Sequence, residues 1–130
     1  MTFTKKTLAY CVAAAAASSL MAANAQAQMS DDEVRIGYLA DMSGTYRDLA
    51  GPGGLTAMEM AVEDFGGSVN GAPIVISSAD DRNSADVGAN TVRGWIDEDN
   101  VDMVGGLVAS SVSIAVSNVI EENDGLAIVS

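Results

Sequence analysis

Residues 101–122 read VDMVGGLVASSVSIAVSNVIEE, and the change of period inside this stretch decides the fold. Val101 to Val108 is a mostly apolar run containing Gly105-Gly106, of the length and character of a buried strand. From Ser110 to Glu122 the apolar residues fall instead at helical spacing, with Val112, Ala115, Val116, Val119 and Ile120 on one face. Gly125 follows as a natural stop. A strand that feeds into an amphipathic helix is half of a β-α-β unit, which predicts more of the same on either side.

Upstream, Val34 to Ala40 (VRIGYLA) reads as a first strand, bounded by the acidic Asp31 to Glu33 and by Ser43-Gly44. Leu55, Met58, Ala61, Val62 and Phe65 then form one face of a helix from Leu55 to Phe65, which Gly66-Gly67 ends. After a turn at Asn70-Gly71, Ala72 to Ala79 (APIVISSA) is a second strand. The next helix presents Ala85, Ala89, Val92, Trp95 and Ile96 inward, with Asn83 or Ser84 placed to accept a first-turn N–H and Asp86 near the positive helix end. Trp95 is read as a packing residue on this pattern, and Met58, Met60 and Met103, which sit among apolar positions, call for no further role. Downstream, Leu126 to Val129 starts a fourth strand. Strands and helices in strict alternation give an α/β fold, a Rossmann-like parallel sheet with helices on both faces. A fourth strand without a crossover of its own leaves an open edge. Residues 28–130 are therefore expected to be a truncated portion of one larger lobe.

Residues 1–27 have a different character. Lys5 and Lys6 precede an alanine-rich apolar run from Leu8 to Met21, and Ala25-Gln26-Ala27 supplies a small-x-small cleavage site. This order of parts is that of a Sec export signal, and the run is shorter than the roughly 20 residues a spanning helix needs. Cleavage is expected before Gln28, which makes the mature chain extracytoplasmic. Cys11, the single cysteine, lies early in this segment after Tyr10, so lipid attachment is not expected.

The remaining chain has neither cysteine, lysine nor histidine. Disulfides, zinc–thiolate sites and a thiol nucleophile are thereby excluded from it. Its four arginines face 18 acidic residues, a formal charge of −14. So negative a surface repels phosphate backbones and anionic lipid, so neither nucleic acid nor a membrane surface is an expected partner. A serine hydrolase is difficult to build as well, because Ser110 and Ser111 have no histidine or lysine to take a proton. The protein is read as a non-enzyme.

In an open parallel sheet, ligands bind beyond the carboxyl ends of the strands, near the point where strand order reverses. The segments that matter are Asp41 to Gly54, Asp80 to Ser84, Ala109 to Ser113 and Ser130. Ala109-Ser110-Ser111 places hydroxyls and backbone N–H groups at a helix start, which suits a carboxylate; equally, either serine can simply cap its own helix. Tyr46 is read either as an ordinary loop tyrosine or as one that stacks on a ligand. Gly51-Pro52-Gly53 lies too far past the first strand for a dinucleotide fingerprint, so no cofactor is expected. Asp80-Asp81-Arg82-Asn83 lacks the ligand spacing of a calcium loop and reads as a solvated turn, with no metal expected.

The segments VRIGYLADMSG (34–44), the helix with Ala61-Val62-Glu63-Asp64, Asp80-Asp81 and Val101 to Ser111 together resemble the type I periplasmic solute-binding proteins. The resemblance is to the leucine/isoleucine/valine-binding branch of ABC-transporter receptors and covers essentially all of residues 28–130. It implies two α/β lobes that close on a ligand, of which this chain would be the first part of the first lobe. It implies a periplasmic substrate-binding component that hands an amino acid or related small carboxylate to the membrane permease of an ABC transporter. The alternative implied by the same architecture is the ligand-sensing domain of a receptor or regulator. The positions that match the family's carboxylate and ammonium contacts are Val108, Ala109, Ser110, Ser111 and the region from Ser130. The hydroxyl residue expected first in that loop aligns with Ala109, so Ser110 or Ser111 would take its role. Leu49 stands where some relatives have an aromatic residue, which leaves Tyr46 as its substitute.

Overall fold

The computed structural model describes residues 32–129. The proposed export signal and Ser130 lie outside the described residues. The elements run β1 (Val34–Ala40), α1 (Arg47–Ala50), α2 (Pro52–Phe65), β2 (Ser68–Val69), β3 (Ala72–Asp80), α3 (Ala85–Asp97), β4 (Met103–Gly106) and α4 (Ser110–Glu122). The sheet order is β2-β3-β1-β4. β1 is parallel to both neighbours, pairing Gly37 with Ser77 on one side and with Val104 on the other. The expected α/β architecture is therefore present as part of a lobe.

Alternation along β1 sorts the two faces. Gly37 and Leu39 face α3 and α4: a Cβ on Gly37 would lie 2.6 Å from the Trp95 ring, and one on Gly88 would approach both Val112 and Leu39. Tyr38 and Gly105 face the other way, where Met58 of α2 approaches Gly105 and the Tyr38 hydroxyl donates to the Ala50 carbonyl. Most of the buried core lies on the first face. Leu39, Val92, Leu107, Val112, Val116 and Val119 have no exposed surface there, and Trp95 packs among them as the helical spacing predicts. Each such side chain contributes roughly 1.5–3 kcal/mol by leaving water.

Three expectations need correction. The helix expected from Leu55 is α2 and begins at Pro52, since proline at the first helical positions forfeits only an N–H that has no helical partner. Its expected inward face is only half realised: Leu55, Met58 and Val62 are partly buried, but Ala61 and Phe65 are exposed. Phe65 closes the helix next to left-handed Gly66 and is left exposed there.

The fourth strand is a single parallel bridge between Val104 and Ala127, held by the Val104 N–H to Leu126 and the Ile128 N–H to Val104. β4 itself runs for only four residues and ends where Gly106 and Leu107 both turn left-handed. Conversely, β2 is a short antiparallel addition that the sequence reading did not include. Its turn is Asn70-Gly71, both at positive φ, as a two-residue hairpin loop demands.

The contact of Gly37 with Trp95 is the tightest constraint on how α3 seats on the sheet. Gly37→Ala is expected to destabilise the protein by about 1–3 kcal/mol through overpacking, seen as a lower urea midpoint with an unchanged slope in equilibrium denaturation.

Candidate functional site

β3 and β4 lie on opposite sides of β1, and the chain leaves β1 for α2 on one face and β4 for α4 on the other. This makes the carboxyl end between β1 and β4 a switch point, the place where open sheets hold their ligands. Two loops border it. One follows β1, from Asp41 to Tyr46; the other follows β4, from Leu107 to Ala109, and runs directly into α4.

The β4 loop is set by the backbone. The Leu107 N–H donates to the Leu39 carbonyl at 2.9 Å, while Gly106 and Leu107 stand at φ 96° and 57°. Only glycine fits at 106, because a Cβ there would overlap the Leu39 carbonyl. Leu107 is a bulky residue in a left-handed conformation, which costs roughly 1–3 kcal/mol, and it is held there with its side chain fully buried. Ser113, buried on the inner side of α4, donates its hydroxyl back to the carbonyls of Leu107 and Ala109. The signal for this was a hydroxyl residue beside inward-facing Val112 and Val116, which the helical pattern passed over.

The N-cap of α4 is Ala109, and no side chain caps the helix. Ser110 and Ser111 are its first two residues and both are exposed. Of the two readings of these serines, self-capping is therefore not what the structure adopts. The first-turn N–H groups, with the positive end of the helix dipole behind them, face the crevice end of the sheet free of a side-chain cap. Ala109 is buried and Val108 half-buried in the same loop.

The β1 loop is organised by carboxylates. Asp41, 4% exposed, accepts the N–H groups of Gly44 at 2.6 Å, Tyr46 at 3.0 Å and Ser43 at 3.4 Å. Asp80, the last residue of β3, accepts the N–H groups of Met42 and Arg82 at 2.9 Å each and the Ser43 hydroxyl at 2.6 Å. The Ser43 hydrogen bond, with help from both N–H groups and the Arg82 guanidinium, holds the Asp80 carboxyl below its usual pKa. Tyr46 closes the loop at the start of α1 and is exposed, as is Leu49 one turn on. The structure thus brings Tyr46 and the Val108–Ser111 segment to the same end of the sheet.

Asp80–Asn83 is not simply a solvated turn, because Asp81 is 1% exposed. It accepts the Asn83 N–H at 2.7 Å. Burial, followed by the charges of Asp41 and Asp80, raises its pKa despite that hydrogen bond. One carboxylate oxygen from each of Asp41, Asp80 and Asp81 lies within 4.8 Å of the others. A hard cation is held by such oxygens, yet all three residues accept donors from their own loops. A separate cavity of about 300 Å³, lined by Asn100, Asp102, Asn123 and Asp124 among others, opens at the opposite end of the strands and includes none of the candidate ligand-binding residues.

The geometry defines an α/β lobe that presents an open helix N-terminus at a switch-point crevice. Comparison with known proteins places it more narrowly: the profile of the periplasmic binding protein family matches residues 33–130, and the chain belongs to that family. A periplasmic binding protein of Burkholderia mallei is 43% identical with a TM-score of 0.72, over 74% of this chain and 26% of that one. A branched-chain amino acid ABC transporter periplasmic ligand-binding protein of Burkholderia xenovorans is 35% identical with a TM-score of 0.69, over 75% and 26%. A solute-binding protein of an R. palustris ABC transporter, in complex with benzoate, is 26% identical with a TM-score of 0.67, over 75% and 27%. The chain thus spans about a quarter of the length of these relatives. No curated protein matches it. Among the described residues, no helix is long and apolar enough to cross a membrane.

The buried charge at Asp81 gives a pH prediction. A carboxyl whose folded pKa is raised imposes no penalty below its unfolded value near 3.8, and the penalty grows as pH rises through the folded value. Asp81→Asn keeps an acceptor for the Asn83 N–H and removes the charge. Its melting temperature is expected to equal or exceed that of the parent at pH 7, with the gap narrowing towards pH 4 in parallel thermal melts.

Proposed function

We propose that the chain is the amino-terminal part of the first lobe of an exported, two-lobed substrate-binding protein, which captures a small carboxylate for an ABC-transporter permease. The observation that carries this is the α4 N-terminus, which no side chain caps and which lies at the switch point of the sheet. Backbone N–H groups there, with the Ser110 and Ser111 hydroxyls, are suited to take the ligand carboxylate. Val108 and Ala109 would line the approach, Tyr46 would cover the ligand from the β1 loop, and the region from Ser130 would add the next strand's contacts. A second lobe would close over it.

The relatives frame the ligand class. The names they carry include a branched-chain amino acid transporter and a complex with benzoate. A carboxylate is common to amino acids and benzoate, and it is the group an uncapped helix start favours. The ligand is therefore proposed to be an amino acid or a related small organic acid. Catalysis forms no part of this reading, since residues 28–130 contain no histidine, lysine or cysteine to activate a serine. Lys5, Lys6 and the apolar run after them support export through the Sec pathway.

A thermal-shift screen of the full-length mature polypeptide against amino acids and aromatic or aliphatic carboxylates tests the proposal. Ligand that binds only the folded state raises the melting temperature. A saturable shift with one chemical class is expected; a folded protein that shifts with none favours the sensing-domain reading. With a ligand in hand, Ser110→Ala and Ser111→Ala are each expected to weaken binding by about 0.5–3 kcal/mol if their hydroxyls contact it, measured by titration calorimetry. Alanine variants that bind as tightly as the parent would remove these serines from the site.

A further inference from the structure

The β1 loop is held from a neighbouring strand as well as from within. Asp41 and its three N–H donors fold residues 41–46 into a closed turn. Asp80 arrives from β3, 38 residues further along the chain, and reaches that turn through the Met42 N–H and the Ser43 hydroxyl. The same carboxylate accepts the Arg82 N–H. One side chain therefore clasps the loop after β1 to the loop after β3. Ser43 itself is exposed and contributes nothing to the hydrophobic core.

We propose that Asp80 and Ser43 are positioning residues, which hold the Tyr46-bearing loop in its ligand-ready form before any ligand arrives. The proposal rests on the carboxylate-binding reading above and adds to it how the crevice wall is kept in place. A loop already ordered in the free protein saves the ordering cost at binding, and the saving appears as affinity. The clasp suits this purpose. Its acceptor stays ionised because Ser43, two N–H groups and Arg82 all favour the charged form, so the loop is held across the neutral and mildly acid range.

The test uses the full-length polypeptide and three variants, Ser43→Ala, Asp80→Ala and Asp80→Asn. Two readouts are taken: amide hydrogen exchange in the free protein, and Kd for L-leucine and benzoate as probes. Ser43→Ala is expected to speed exchange of the amides of residues 42–46 by about fivefold while those of Leu39 and Val104 stay protected. It is also expected to raise Kd for the bound probe by about threefold with the melting temperature unchanged. Asp80→Ala should do both more strongly. Asp80→Asn, which keeps an acceptor for Met42 and Arg82, should recover part of each effect.

Unchanged exchange in the loop for both alanine variants would overturn the proposal, as would a loosened loop with unaltered Kd. If the parent binds neither probe, the carboxylate reading falls on those probes, and loop exchange in the free protein still decides whether Ser43 and Asp80 hold the loop.

Discussion

The 2.9 Å hydrogen bond from the Leu107 N–H to the Leu39 carbonyl ties the end of β4 to the central strand at the point where β4 must stop. To make that bond and still leave the sheet, the chain takes two successive left-handed residues, Gly106 and Leu107. The glycine is imposed by the Leu39 carbonyl, which leaves no room for a Cβ. The leucine is tolerated because its side chain is driven into the core against Leu39, Val104 and the inner side of α4. Strain of roughly 1–3 kcal/mol is set against burial of comparable size. The start of α4 follows from this turn, which fixes Ala109 as the residue that opens the helix and leaves it without a side-chain cap.

The two faces of the sheet are unequal. α3 and α4 cover one face and share a core that includes Val92, Trp95, Val112, Val116 and Val119. On the other face stand α1 and α2, with Leu55, Met58 and Val62 only half-buried. Phe65, Met60, Leu126 and Ile128 remain exposed.

What could be read from the sequence was whatever depends on period. The α4 boundaries, the inward side of α3 and α4, and the packing role of Trp95 all follow from apolar residues recurring at helical spacing. The resemblance to the periplasmic binding protein family rested on residues 34–44, the helix with Ala61 to Asp64, Asp80-Asp81 and the 101–111 segment, and the family assignment agrees with it. What escaped is non-local. No pattern of spacing announces that Asp80 bonds Met42 across 38 residues, or that Asp81 beside it is almost wholly buried. A leucine at positive φ runs against its own preference, so only the pairing of β4 with β1 explains it. The serines at 110 and 111 remained ambiguous because capping and ligand binding use the same donors and acceptors. The backbone resolved half of that question by assigning the cap to Ala109.

The account stands on the open start of α4 as an anion site. The most direct measurement is a titration of the isotope-labelled full-length protein with the compound that gives a saturable thermal shift, following backbone amide resonances. Saturable shifts that are largest at Ser110, Ser111 and Val112, with smaller ones at Tyr46, are the predicted result. Saturable binding that leaves those three amides unmoved, with its shifts centred elsewhere, would contradict it.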